Sequence, residues 1–342
     1  MRAIVQRATG GPEVLRLEEV EDPVPGPGQV VVRLRAAALN RRDVYIRTGR
    51  YAGITLPLIP GSDGAGEVHA VGEGVTGVTV GQAVVIDPSL EWGDDPTRQG
   101  PKWRILGLPE NGTYAQLVRV PAANVYPKPS SLSWEEAAAI PLAGLTAYRA
   151  IVTRGQVRPG EIVLITGAGG GVSTFVLSMA HHLGAHTMVI SGSDEKLARA
   201  AALGAAAGFN YKTTDWVEAV RAASDGRGPD VVIDSVGGAQ FNQVLDVVRP
   251  GGRVVSYGST LGAVPDMVLR RIFWKHLDVR GSTMGTPADF AAMLRLFDEG
   301  QLRPAIDRVY PLAEAGAAQA RLEEAAQFGK IVLATPGAPP AR

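Results

Sequence analysis

Two patterns of apolar residues divide the chain. Up to about Ser130 they come in short, β-branched runs, among them Gln29–Arg35, Glu67–Val71 and Ala83–Ile86, separated by clusters such as PVPGPG and GEGVTG. Runs of that length between turn residues predict short strands, so the first third reads as all-β. Beyond Ser130 the pattern becomes an apolar strand, a glycine-rich turn, a helix, and the same again. Strands are predicted at Glu161–Thr166, His186–Ser191, Val231–Asp234, Arg253–Tyr257 and Asp278–Gly281, with helices near Gly171–Leu183, Asp194–Leu203, Thr214–Ala223 and Gln240–Val247. Such alternation predicts an α/β unit with a doubly wound parallel sheet. Asp194 is expected to N-cap its helix, and Gly184 and Gly204 fall where helices end. The last fifty-odd residues, with helices near Pro287–Glu299 and Ala313–Ala326 and the strand KIVLA, return to the mixed style. They are expected to pack back on the N-terminal part, leaving TPGAPPAR as a frayed tail.

Composition narrows the function. At 342 residues the chain is long enough for two domains. Lys plus Arg and Asp plus Glu are both 34; this balance, with aromatic residues not interleaved with basic runs, argues against nucleic-acid binding. Cysteine is absent, which excludes disulfides, thiolate metal sites and cysteine nucleophiles. The N-terminus lacks the pattern of a signal peptide and no run of 18 apolar residues occurs, so a cytoplasmic protein without a membrane partner is expected. None of the five histidines has a second ligand at metal spacing, and His69, His181, His182, His186 and His276 are read as structural.

The segment VLITGAGGGVSTFVL carries the clearest chemistry. Glycines follow an apolar strand and open a helix, where backbone N–H groups and the helix dipole can hold a pyrophosphate. Gly167 and Gly169 match the first two glycines of G-x-G-x-x-G, whereas the sixth position is Val172. Gly169, Gly170, Gly171, Val172 and Ser173 are therefore assigned to a dinucleotide. The following strand ends Ile190-Ser191-Gly192-Ser193, without the carboxylate that would bind a ribose 2′-hydroxyl. Ser191, Lys196 and Tyr211 are placed around a 2′-phosphate, and NADP(H) is preferred over NAD(H).

Further motifs resemble the medium-chain dehydrogenase/reductase superfamily across essentially the whole chain. They are Ile59–Val68, Gly72–Gly74, Asn111–Ala115, Ala137–Tyr148 and Arg249–Arg253. The glycine segment fits the superfamily's looser form, with Ser173 in place of a final glycine. The resemblance implies a GroES-like β domain at 1–128 and 286–342 and a Rossmann domain at 129–285. It also implies that Thr146, Val236, Gly258, Ser259 and Met284 lie along the cofactor, with Asp234–Gly237 and Gly258–Thr260 at the carboxyl edge of the sheet.

Zinc alcohol dehydrogenases of this superfamily hold a catalytic metal at positions that correspond here to Asn40, Ser62 and Leu142, so no zinc is expected. The second metal lobe corresponds to Pro88–Leu108, expected to be an ordered loop packed by Trp92 and Trp103. The stretch Asn40–Tyr51 resembles N-x-x-D-x-Y-x-R-x-G-x-Y of quinone oxidoreductases and enone reductases. The resemblance thus implies zinc-independent hydride transfer to a quinone or α,β-unsaturated carbonyl, with Asn40, Tyr45, Tyr51 and Ser62 in the acceptor pocket and Tyr51 as the donor to an oxyanion. An alcohol/aldehyde dehydrogenase using another proton relay, and a cofactor-binding sensor without turnover, remain open. Asp43 is read as fixing a local turn or pairing with an arginine, not as a base. The apolar and basic run Met267–His276, which in relatives helps pair two sheets, implies a homodimer or a dimer of dimers.

Overall fold

In the unit Gly144–Met284 the predicted runs become strands, the central ones buried on both faces and Asp278–Gly281 largely exposed. The computed structural model describes residues 1–335, so the expected tail lies outside the described residues apart from Thr335. The strands are β1 (Ile162–Ile165), β2 (His186–Ser191), β3 (Ala207–Asn210), β4 (Val231–Asp234), β5 (Arg253–Ser256) and β6 (Asp278–Gly281). They form one parallel sheet in the order β3-β2-β1-β4-β5-β6. The order reverses between β1 and β4, and in such sheets a crevice opens at that point beyond the carboxyl ends of the strands. One face of the sheet packs Leu164, Met188, Ile190, Val232 and Val254 against Trp216, Val220, Phe241 and Leu245.

Helix α1 (Gly171–His182) follows β1, and α2 (Asp194–Ala202) follows β2. Gly184 and Gly204 have φ of 78° and 101°, as expected just past helix ends. The expected cap of α2 is displaced by one residue. Ser193 is extended, and its Oγ accepts from the Lys196 N–H at 3.3 Å. Asp194 already lies in the helix, where its carboxylate accepts from Asn210 Nδ2 at 2.7 Å. Serine wins the cap because its short side chain reaches the third N–H while its own backbone stays extended.

The other unit comprises Met1–Ala143 and Gly285–Arg342. Its main sheet runs Ile306–Pro311, Lys330–Ala334, Gln29–Ala38, Asp63–Val71, Ala83–Ile86 and Val125–Pro127, with Leu117–Pro121 also paired to Gln29–Ala38. Late and early chain segments meet directly, since Val332 pairs with Ala38 and Ala334 with Ala36. The first third is not all strand. Residues Arg41–Arg47 form a helix, because the Asp43 carboxylate accepts from the backbone N–H of Asn40 at 2.8 Å and closes its first turn. That is the local role expected of Asp43.

Close backbone approaches explain several glycines in the recognised motifs. Residues 111–114 bond to 59–61: Gly112 N–H donates to Ile59 O at 2.7 Å, Thr113 to Gly61 O at 3.0 Å and Tyr114 to Pro60 O at 3.0 Å. A Cβ on Gly112 would collide with Gly61 O and come within 2.8 Å of Pro60 O and of Gly107 Cα. All of these are backbone atoms, so no rotamer change relieves the clash.

Pro88–Leu108 is ordered, as expected. The rings of Trp92 and Trp103 meet edge to face with centroids 6.1 Å apart, and Ser89–Leu90 pairs with Arg104–Ile105. At its base Trp103 Nε1 donates to Ser89 Oγ at 3.0 Å, and Asn124 Nδ2 donates to the carbonyls of Asp87 and Ser89. Among the described residues the fully buried Asp87 accepts only the Ser89 N–H, and its second oxygen has no partner. Burial pushes its carboxyl well above the ordinary aspartate range.

Replacing Gly112 by Ala is expected to cost about 3 kcal/mol or more, read as a drop in the urea midpoint; an unchanged midpoint would contradict the contact. Because the folded state favours protonated Asp87, this group's contribution to stability is greatest below its unfolded value. It declines as pH rises toward the folded value. The advantage of Asp87→Asn over the parent should therefore grow from pH about 4 upward, measured as urea midpoints across pH, and parallel curves would refute the assignment.

Candidate active site

The turn between β1 and α1 has the form a pyrophosphate requires. Gly167 and Gly169 have φ of 68° and 99°, and Gly170 caps α1 without any side-chain hydrogen bond. The first-turn N–H groups of Gly171, Val172 and Ser173 have no carbonyl one turn earlier in the helix to receive them. Ser173 is buried with its Oγ 2.9 Å from the carbonyl oxygens of both Gly167 and Gly170. Serine at this position thus ties the turn to the helix, a role that no spacing rule announces.

The carboxyl end of β4 is held in the same way. Thr166 Oγ1 donates to Asp234 Oδ1 at 2.7 Å and accepts from the Ser235 N–H, while Gly237 N–H donates to Asp234 Oδ2 at 3.1 Å. Asp234 is therefore an internal brace that shapes Val236 and Gly237. Those residues lie close to Ser259, since a Cβ on Gly237 would fall 2.9 Å from its Oγ. Gly258 follows β5, its carbonyl 3.4 Å from Ser256 Oγ. Thr146 and Met284 come together, Oγ1 to Sδ 3.9 Å, and both are buried.

At the end of β2 Ser191 Oγ accepts from the Ser193 N–H at 3.3 Å. Gly192 is crowded: a Cβ there would meet the Tyr211 hydroxyl at 2.7 Å and Lys212 Cε at 2.8 Å. Tyr211 is exposed, and Lys196 lies in the first turn of α2. Lys212 was not expected here, and its place next to Tyr211 in the sequence was the available signal.

In the N-terminal unit the four expected acceptor residues fall into separate arrangements. Asn40 bonds through Nδ2 to Asp63 Oδ2 at 2.9 Å and through Oδ1 to Lys330 Nζ at 2.7 Å. Lys330 Nζ also donates to Asp63 Oδ2 at 2.9 Å and to Leu39 O at 2.7 Å, with both charged side chains almost wholly buried. Asp63 Oδ1 receives the Leu142 N–H at 2.8 Å. Ser62 is fully buried; its Oγ donates to Leu106 O at 2.7 Å and accepts from Arg42 Nη1 at 2.8 Å. The Arg42 guanidinium also lies over the Tyr51 ring, 5.1 Å from its centre, so Ser62 and Tyr51 share a neighbour. Tyr51 is half-buried against Ile46, Leu58 and Leu108. Tyr45 stands apart from this group, beneath the guanidinium of Arg50 at 5.2 Å.

Arg42 and Lys330 were missed from sequence. A lysine opening the apolar strand KIVLA was a usable signal, because a buried ammonium needs partners. Arg42 had none, being one of three adjacent charged residues.

Nearby, burial raises the Asp43 carboxyl above its usual value, partly offset by the charge of Arg42. Among the described residues no three His, Cys, Asp or Glu side chains converge as a metal site would require. His69 Nδ1 lies 3.0 Å from the Arg33 guanidinium, and the His181 ring packs against Gly204. Among those residues, too, no helix is long and apolar enough to cross a membrane.

Comparison with known proteins agrees with this geometry. The alcohol dehydrogenase GroES-like domain family matches residues 26–130, and the zinc-binding dehydrogenase family matches 171–299. A zinc-type alcohol dehydrogenase-like protein, YogA, of Leptosphaeria maculans is 36% identical over 339 residues, covering 93% of this chain and 94% of its own. A quinone oxidoreductase of Pseudomonas aeruginosa is 34% identical, covering 95% and 97%. Among solved structures, an NAD-dependent alcohol dehydrogenase superposes with a TM-score of 0.94 at 42% identity, over 98% of this chain and 99% of that one. With a glycine turn shaped for a dinucleotide, a GroES-like partner unit and relatives alike over nearly their whole length, the chain belongs to the medium-chain dehydrogenase/reductase superfamily and is an oxidoreductase.

Proposed function

We propose that the protein is a zinc-independent, NADPH-dependent reductase of quinones or α,β-unsaturated carbonyls. The observation that carries this reading is the donor set at the positions implied for zinc. Leu142 has no ligating side chain, Asn40 is engaged by Asp63 and Lys330, and Ser62 is engaged by Leu106 and Arg42. The carboxylate nearest these groups, Asp63, is already paired with Lys330, so it does not stand ready as an anionic ligand for a dication. These residues do not fit zinc, whereas the glycine turn with its uncapped helix N-terminus fits a dinucleotide. The resemblance of Asn40–Tyr51 to quinone oxidoreductases and the relative of that name support the same acceptor class.

When bound, the nicotinamide supplies the hydride. The remaining work falls to the chain. Gly169, Gly170, Gly171, Val172 and Ser173 bind the pyrophosphate, and Thr146, Val236, Gly258, Ser259 and Met284 orient the ribose and ring. Tyr51, with Asn40, Tyr45 and Ser62 forming or bracing its pocket, donates a hydrogen bond to the acceptor oxygen. A conjugated acceptor is already electrophilic, so orientation and one such donor are sufficient assistance.

Ser191, Lys196 and Tyr211, joined by Lys212, are assigned to a 2′-phosphate. No carboxylate ends β2, and Asp194 is held by Asn210. The similar solved structure is named NAD-dependent, so cofactor preference is best measured as a ratio. The protein is also proposed to be a homodimer, or a dimer of such dimers, paired through β6, an edge strand flanked by the exposed Leu269, Phe273 and Trp274. It is proposed to act in the cytoplasm.

With a panel of quinones and enones, nicotinamide absorbance should fall faster with NADPH than with NADH at equal concentration, and a metal chelator should leave the rate unchanged. Tight NADPH binding without oxidation by any acceptor would refute the reading, and loss of activity on chelation would refute zinc independence. Phe273→Asp with Trp274→Asp should convert a dimer to a monomer in analytical ultracentrifugation; an unchanged mass would exclude this surface.

A further inference from the structure

Two arginines of the N-terminal unit are more than nine-tenths buried, and their surroundings differ. Arg47 is fully answered: Nε donates to Gln319 Oε1 at 2.8 Å, Nη1 to Gly10 O at 2.6 Å, and Nη2 pairs with Glu323. Arg42, 8% exposed, uses only Nη1, which donates to Ser62 Oγ and to Leu106 O at 2.8 and 3.0 Å. Its Nε is buried with no acceptor, and among the described residues Nη2 makes no hydrogen bond and no carboxylate lies within 4 Å. Asp43, adjacent in sequence, spends Oδ2 on the Asn40 N–H and the Tyr114 hydroxyl. The charge of Asp43 acts on Arg42, but its carboxylate makes no hydrogen bond to the guanidinium. Among the described residues the Nε and Nη2 donors are thus left without an acceptor, which is unfavourable for a group so far from water unless an anion completes it.

The unused groups are not scattered. Nε–H and Nη2–H form the side-on edge of the guanidinium, two parallel donors whose spacing matches the two oxygens of a carboxylate. The opposite side is fixed by Ser62 and Leu106, and the face is covered by Tyr51 at 5.1 Å, so the fork cannot turn freely. We propose that the Nε/Nη2 edge of Arg42 is a carboxylate-binding site, and that the preferred acceptors carry a carboxylate conjugated to the double bond that is reduced. The acceptor half of this statement rests on the reductase reading above; the anion site does not. An ionised carboxylate is a poor electron sink, because hydride addition at the β-carbon would push a second negative charge onto it. A bidentate arginine offsets that charge, and a solvent proton at the α-carbon then completes the saturated acid.

Crotonate and its neutral counterpart crotonamide are suitable probes, titrated calorimetrically into the full-length protein with and without NADPH. The parent should bind crotonate in preference to crotonamide. Arg42→Leu should weaken crotonate by roughly 10- to 100-fold, as loss of a charged hydrogen-bonded pair implies. It should weaken crotonamide, which loses only the bracing of Ser62 and Tyr51, at least several-fold less, with NADPH affinity unchanged. Arg42→Lys, which keeps the charge but not the fork, should fall between and serves if the leucine variant does not fold, as judged by its melting curve. Absence of crotonate binding by the parent, equal weakening of both probes, or a loss of NADPH affinity in the variants would overturn the site. If crotonate binding tracks Arg42 but no acceptor is ever reduced, the reductase reading fails and the anion site stands. If neutral enones are reduced and Arg42→Leu leaves carboxylate binding intact, the reverse holds.

Discussion

A lysine ammonium sealed from water must find acceptors for three donors, and Lys330 finds them in Leu39 O, Asn40 Oδ1 and Asp63 Oδ2. The requirement is severe, since removing one member of a buried charge pair leaves the other uncompensated, at about 3–5 kcal/mol. It also determines where several chain segments can go. The strand Lys330–Ala334, the start of the helix at Arg41, the strand beginning at Asp63 and the backbone of Leu142 converge on one carboxylate and one ammonium. Asn40 and Leu142, two of the positions singled out from the family pattern, therefore inherit their orientation from an electrostatic constraint, whatever they do to a ligand. Asn40 is the plainest case: its amide bridges the two charges, and the same residue precedes the helix that carries Arg42 and Tyr45.

The unit Gly144–Met284 is organised on a different principle. Its core is apolar and its strands are short, and the polar residues at the carboxyl ends hold loops in shape. Asp234 accepts a threonine hydroxyl and backbone N–H groups, and Ser173 reaches back to the turn that precedes its helix. Both side chains are spent inside the protein, which leaves backbone N–H groups at the start of α1 for the proposed phosphate contact. That division suits the proposed contact, because backbone amides keep their dipole and direction across the physiological pH range.

The alternation of strands and helices was legible from periodicity because it reflects burial on both faces of a parallel sheet. Strand bounds such as His186–Ser191 and Val231–Asp234 came out as read. The helix at Arg41–Arg47 was not legible, because it is short and stabilised by one carboxylate and by tertiary packing more than by propensity. The displaced cap at Ser193 is a similar miss, since two adjacent residues of good capping type compete on geometry that spacing does not contain. For the candidate site, the glycine turn's place between strand and helix could be read because that pattern is local. The partners of Asn40 and Ser62 could not, because Lys330 lies 290 residues from Asn40 and Leu106 lies 44 from Ser62. Long-range polar contacts leave almost no trace in a single chain.

The contact of Gly112 with the backbone near Gly61 bears on what membership of a superfamily means. The motifs by which this chain is recognised owe much to steric exclusion, where one main chain passes too close to another for any side chain. Such a requirement is indifferent to the reaction. A lineage could exchange metal for no metal, or one acceptor for another, and keep every one of these marks. Kinship in this fold is thus recorded in places where atoms are forbidden, while chemistry is recorded in the few where they are left without a partner.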